Sequence, residues 1–191
     1  MKIAAVLLAA GRGNRFGGGK LMADLGGKPL GHHAAATLAG LPLAARFAVV
    51  SPQSPDLSAL GFDPVPLEPA GAPMSRSIAL GVARARKAGA NAVLLALADM
   101  PLVPADHFRA LLAAFDGHCL ASRVDDTPLP PALFGAALLD ALCALEGDSG
   151  ARHLIAAAPW IALPAAHGLD VDRPADLAQA ALLKARGNGM D

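Results

Sequence analysis

The feature that most constrains this chain is a run of six short aliphatic residues, 3–8 (IAAVLL), which breaks at residues 9–20 into AAGRGNRFGGGK. Six apolar residues with no polar position suit a strand buried on both faces, and such strands occur where helices cover both sides of a parallel sheet. That makes the chain α/β. In open α/β sheets ligands collect at the carboxyl ends of the strands, which is where this glycine-rich segment begins. Glycines there let backbone N–H groups approach phosphate oxygens with no Cβ in the way. Arg12, Arg15 and Lys20 add positive charge.

Two common phosphate loops are excluded by counting. A Walker A loop needs Gly, four residues, then Gly-Lys and a Ser or Thr. Counting back from Gly19-Lys20 places Asn14 where the first glycine belongs, and Leu21 follows the lysine. The dinucleotide fingerprint G-x-G-x-x-G starts at Gly11 and Gly13 but meets Phe16, and Gly31-His32-His33 stands where an acidic ribose partner is expected. A nicotinamide oxidoreductase is disfavoured on both counts.

Composition narrows the partners. At 191 residues the chain is most simply one α/β domain, 1–191, large enough to bury a core without disulfides or a metal clip. Its formal net charge is +0 and only 17% of its residues are charged, against about a quarter in ordinary domains, so there is no basic field for nucleic acid or an anionic membrane. A small ligand is the expected partner. Cys119 and Cys143 stand alone, without C-x-x-C or metal spacing, and suit buried thiols in a reducing, cytoplasmic setting. Lys2 and the eight apolar residues after it resemble a signal peptide only faintly, and cleavage there would expose the glycine loop. No stretch reaches the ~18 apolar residues of a membrane span.

The rest of the chain alternates strand and helix signals. Gly26-Gly27-Lys28-Pro29 is a turn that places Pro29 near the first position of a helix running to residue 39. His32 and His33 lie on that helix without ligand spacing and take structural or surface roles. Residues 46–50 form a second buried strand. The proline-rich stretch 51–73 is a long connection with one short strand at 65–67. Ser75-Arg76-Ser77 opens a helix with Ile78, Leu80 and Val82, closing on Arg84, Arg86, Lys87 and Gly89, so that the serines cap its amides and the cations its carbonyls.

Residues 92–98 form the most apolar strand and end directly in Asp99-Met100-Pro101. A carboxylate at the carboxyl end of a central strand can hold a divalent metal against phosphate oxygens. The competing role for Asp99 is to cap a helix starting near Pro104. Helical periodicity covers 105–115, and 119–124 is a strand. Asp125-Asp126-Thr127 turns into Pro128-Leu129-Pro130-Pro131, and 134–145 is an amphipathic helix. Gly147-Asp148-Ser149-Gly150-Ala151-Arg152 opens a short helix to residue 157, which is either an anion site or an ordinary helical corner. An edge strand at 161–163, the segment LDVDRP at 169–174, a helix at 175–185 and a frayed end at 187–191 complete the chain.

The order LAAGRGNRFGGGK, LALADMP, GDSGAR, DVDRPADL closely resembles the molybdopterin cytidylyltransferases, molybdenum cofactor enzymes of the Rossmann-like nucleotidyltransferase superfamily. The resemblance covers residues 3–177. It implies a three-layer Rossmann-like nucleotidyltransferase fold with a mainly parallel central sheet. It places Leu8, Ala9, Ala10 and Gly11 along the base and sugar, with residues 13–19 around the triphosphate, beginning at Gly13. Arg15 and Lys20 match the family's basic pair. Asp99 and Asp172 match its metal ligands for Mg²⁺ or Mn²⁺, Asp170 being a weaker rival of Asp172. Ser75 and Ser77 match a serine-rich helix start below the nucleotide, with Gly71 near the base. Asp148, Gly150 and Arg152 would face the pterin.

Two departures stand out. Pro130-Pro131-Ala132-Leu133-Phe134 lacks the Gly-His of the family's G-H-P-x-L-F, and Pro73 replaces a glycine before the serines. The implied reaction moves CMP from CTP to the terminal phosphate of molybdopterin and releases pyrophosphate, with a molybdoenzyme or its chaperone as recipient of the product. LAAG and GDxGAR favour the cytidylyl branch, whereas guanylyltransferases usually carry LAGG. The alternatives are a guanylyltransferase or another small-metabolite nucleotidyltransferase on the same scaffold, and a nucleotide-binding regulatory domain without turnover.

Overall fold

The computed structural model describes residues 1–11, 13–148 and 150–187. Arg12, Ser149 and the end of the chain, all named above, lie outside the described residues. In chain order the elements are β1 (Ile3–Ala9), α1 (Leu30–Ala39), β2 (Ala45–Val50), β3 (Asp63–Pro66), α2 (Met74–Lys87), β4 (Ala92–Leu97), α3 (Ala105–Ala114), β5 (Cys119–Val124), β6 (Thr127–Gly135), α4 (Leu139–Cys143), α5 (Arg152–Ile155), β7 (Trp160–Ala162) and α6 (Pro174–Gly187). The strands make one seven-stranded sheet in the order β3-β2-β1-β4-β6-β5-β7. Only β6 runs against the rest, pairing antiparallel with β4 and β5.

The sheet divides the core into two layers by the period-2 alternation of its strands. Ala5, Leu7 and Ala9 of β1 face Leu30, Ala34 and Leu38 of α1 and Phe108 and Leu111 of α3. Ala4 and Val6 face the opposite way, toward Ile78 and Val82 of α2 and Leu142 of α4. Both faces of β1 are therefore covered, which is why its sequence shows no polar alternation. Where α2 crosses β1 a side chain of any size is excluded, because a Cβ on Gly81 would overlap Val6 and come within 3.0 Å of Val49. Arg46 of β2 closes the end of α1, donating from Nε to the Leu38 carbonyl at 3.1 Å and from Nη2 to the carbonyls of Ala39 and Leu41 at 3.0 and 2.6 Å. These are carbonyls at and beyond the end of the helix, where intrahelical donors run out.

Three sequence expectations are corrected, and the competing capping role for Asp99 is excluded. The proline-rich stretch after residue 127 is strand β6, and the helix expected over 134–145 shrinks to one turn and α4. Phe134 is a strand residue, paired with Val93 and Cys119. The prolines are tolerated because the ladder slips between Ala121 and Ser122, leaving Pro130 and Pro131 without partners. The short strand expected at 65–67 lies instead at Asp63–Pro66. The helix after residue 73 begins at Met74 behind Pro73, so Ser75 and Ser77 are buried inside its first turns and do not cap it. Asp99 caps nothing, since α3 starts behind Pro104.

A buried polar pair pins the proline bulge. Ser122 Oγ donates to the Pro131 carbonyl at 2.7 Å, so it receives the His107 Nε2 hydrogen across 2.8 Å. Burial first, then the neighbouring His167, lowers the His107 pKa below its ordinary 6.5. The unfolded chain thus takes up this proton before the folded one does. Its contribution is intact above pH 6.5 and is lost as the pH falls from there through the folded value. Urea denaturation from pH 8 to 5 should show a steeper loss in the wild type than in His107→Gln, which keeps a donor but cannot titrate. Gly81→Ala should cost about 1–3 kcal/mol in the same assay, through overpacking against β1.

Candidate active site

The adjacent strands β1 and β4 reach their carboxyl ends together, Leu8 opposite Leu97. The chain leaves β1 toward β2 on one side and β4 toward β5 on the other, so the crevice between them is the switch point at which such sheets bind ligands. The glycine-rich segment folds over it. The Phe16 and Gly18 amides donate to the Gly13 carbonyl at 2.9 and 3.1 Å. Gly13 has a φ of 58°, and a Cβ there would press on Lys20 Cγ at 3.4 Å. This turn drives Lys20 inward to 6% exposure. Its ammonium lies 2.7 Å from Asp99 Oδ2 and 2.9 Å from Asp172 Oδ1, and Arg15 Nη1 is 3.2 Å from Asp172 Oδ2.

Three distant segments thus converge, and backbone bonds hold them. The Val171 amide donates to the Asp99 carbonyl at 3.0 Å. The Asp172 and Arg173 amides donate to Asp176 Oδ2 at 2.9 and 2.7 Å, which seats Asp172 at the entrance of α6. Asp170 joins the cluster, one oxygen from each of Asp99, Asp170 and Asp172 lying within 4.8 Å of the others.

Three carboxylates around one buried ammonium leave an excess of negative charge. Burial opposes the charge on Lys20, but Asp99 and Asp172 outweigh it and hold the ammonium above its ordinary range. The hydrogen bond from Lys20 leads the effects that lower Asp172. Asp170 moves the other way, up to about 7, by desolvation first and then by the charge of Asp99, with Lys20 opposing. Solvent reaches Asp170, yet crowding among like charges with one shared ammonium makes the upward direction the physically sound one. Asp99 Oδ1 is buried and has no hydrogen-bond partner among the described residues. An orphaned carboxylate oxygen beside two further carboxylates is a donor set that hard divalent cations such as Mg²⁺ or Mn²⁺ favour.

A cleft of about 480 Å³ contains this cluster. Of the residues expected at the site, Leu8, Ala10, Gly11, Gly13, Arg15, Lys20, Ser77, Asp99, Asp148, Arg152 and Asp172 line it. Ala9 and Ser75 are buried behind the lining, and Gly71 adjoins it through Ala72. Gly150 and Arg152 line an adjoining cavity of about 260 Å³, walled largely by apolar side chains of α2, β4 and β6. Asp148 has a second role: its Oδ1 accepts from the Met74 amide at 3.0 Å and so caps α2 from a distant loop. Because α5 spans only Arg152–Ile155, the expected anion site at its start reduces to the Arg152 side chain. Sequence reasoning missed Asp176 and Met74. Asp176 had a legible signal, an acid three residues after Arg173 at a helix start; Met74 had none.

The chain is similar to several known proteins. Purine catabolism protein PucB of Bacillus subtilis is 28% identical over 161 residues, covering 78% of each chain. A molybdenum cofactor guanylyltransferase of Rhodobacter capsulatus is 31% identical over 148 residues, covering 71% of this chain and 76% of that protein. In structure, Rv0371c of Mycobacterium tuberculosis superposes with a TM-score of 0.81 over 95% of this chain and 99% of its own at 22% identity, and it has also been solved in complex with manganese. Residues 5–163 match the family model of the MobA-like NTP transferase domain, and the chain belongs to that family of nucleotidyltransferases.

Proposed function

We propose that this chain transfers CMP from CTP to the terminal phosphate of a molybdopterin-type acceptor and releases pyrophosphate. The observation that carries the reading is the convergence of Lys20, Arg15, Asp99 and Asp172 at the mouth of a cleft framed by the LAAG segment. Nucleotidyl transfer is mainly a matter of positioning and charge neutralisation. Asp99 and Asp172 would hold a divalent cation, with Asp170 beside them, and a cation so held screens the phosphate charge. Arg15 and Lys20 face the region where charge grows on the α,β-bridging oxygen as pyrophosphate leaves. The acceptor phosphate is already ionised, so no side chain has to remove a proton. The adjoining cavity, with Arg152 shared between the two spaces, offers room for the acceptor beyond the nucleotide. The product would pass to a molybdoenzyme or its chaperone in the cytoplasm; no described helix is long and apolar enough to cross a membrane.

GTP as donor is the second reading, favoured by the guanylyltransferase relative. Pyrophosphate release measured with each of four nucleoside triphosphates, with Mg²⁺ or Mn²⁺ and with and without molybdopterin, decides between them. CTP should give the fastest acceptor-dependent release, and faster release with GTP would replace the cytidylyl assignment. Under the best conditions Arg15→Ala should lose about 3–4 kcal/mol of transition-state stabilisation in kcat/KM.

The carboxylate cluster gives a separate test. Lys20→Met leaves Asp99, Asp170 and Asp172 without their shared ammonium, so its Tm should fall below wild type at pH 7.5. Added Mn²⁺ should raise the variant's Tm more than the wild type's, because a bound cation restores the missing charge. Equal shifts in the two proteins would count against a metal at these carboxylates.

A further inference from the structure

We propose that the protein carries a second anion site, suited to a phosphate-class dianion, where α1, α6 and residues 101–104 meet. A cavity of about 480 Å³ there is lined by Lys28, His32, His33 and Lys184, with residues 101–104 on its far wall. Among the described residues no carboxylate lines it. It lies outside the cleft, and the nucleotide reaction uses none of these four side chains.

The basic wall is held by specific contacts. Lys184 Nζ of α6 lies 2.9 Å from His33 Nδ1 of α1, and His33 Nε2 lies 2.8 Å from the Leu25 carbonyl oxygen. A carbonyl only accepts, so Nε2 carries the ring hydrogen and Nδ1 accepts from the ammonium. The imidazole is thereby kept neutral, in keeping with the downward push on its pKa from burial and then from Lys184, with Lys28 and His32 adding to it. This contact uses one of the three donors of Lys184 and offsets none of its charge.

The other ion contacts among the described residues each join a cation to a carboxylate, and neither Lys28 nor Lys184 is in one. The turn before α1 brings its backbone to the same ammonium, a Cβ on Gly26 falling 3.8 Å from Lys184 Nζ. His32 Nε2 donates to the Asp56 carbonyl at 2.9 Å, so both imidazoles spend a ring hydrogen on a carbonyl and the donors facing an anion are the ammoniums of Lys28 and Lys184. Two permanent positive charges, Lys28 and Lys184, line one cavity with no carboxylate among the described lining residues, and a bound dianion relieves their mutual repulsion. Phosphate matches the wall because its several oxygens accept from separate donors at once. The site also borders the segment that begins at Asp99, so its occupant rests against the backbone leading out of the cleft.

Calorimetric titration of the whole chain with inorganic phosphate, in EDTA, tests the proposal. Lys20→Ala together with Arg15→Ala and Arg152→Ala removes the described cations lining the cleft, so phosphate still bound by that background is bound elsewhere. About one equivalent should remain, and adding either Lys28→Gln or Lys184→Gln should weaken it about tenfold, the size of one lost charge-assisted hydrogen bond. Lys28 is exposed in a turn, so its substitution leaves the fold intact. Pyrophosphate titrated in the same way distinguishes the source, tighter binding than phosphate pointing to a diphosphate group and weaker binding to free phosphate. Loss of all binding in that triple background, or binding unchanged by both Lys28→Gln and Lys184→Gln, overturns the site.

Discussion

The contact on which the cleft depends is that of the Lys20 ammonium with Asp99 and Asp172. It ties together three segments that share no secondary-structure element: the loop after β1, the end of β4 and the entrance of α6. Each carboxylate is costly to crowd against the others, and the single buried cation makes the cluster tolerable. The cluster is still under-neutralised, as the upward push on Asp170 to about 7 and the unpartnered Asp99 Oδ1 both indicate. A site whose charges balanced internally would have little reason to take another cation. This one retains an excess of carboxylate oxygen at the switch point of the sheet.

Much of this was legible in the sequence because the signals were local. The unbroken apolar runs before Gly11 and before Asp99 identified β1 and β4, and the ends of those runs identified the loop and the carboxylate. That the two strands are neighbours is a fact of the folded sheet, which the alternation of elements alone does not specify. The proline-rich β6 was illegible for a physical reason: prolines argue against a strand unless a ladder slip removes the need for their missing donors, and that slip exists only once β5 is in place with Ser122 and His107 behind it. The serines of α2 misled in the same way. A serine near a helix start is an ordinary cap, but here the capping group comes from Asp148, more than 70 residues away.

That distant cap bears on how phosphate can be held. The N-terminus of α2 opens on the cleft and would be a natural anion-binding end. Its first four amides are already engaged: Met74 to Asp148 Oδ1, Ser75 to the Gly147 carbonyl, and Arg76 and Ser77 to the Pro73 carbonyl. The helix therefore has few donors left to offer, so in the proposed reaction the phosphate contacts fall to Gly11, Gly13, Arg15 and Lys20, which line the cleft. The same bonds fasten residues 147–148 to the helix, so Arg152 and Gly150 are presented beside the cleft next to a segment anchored in the main scaffold. The boundary between the cleft and the adjoining cavity is in this way built from α2 on one side and the segment that caps it on the other.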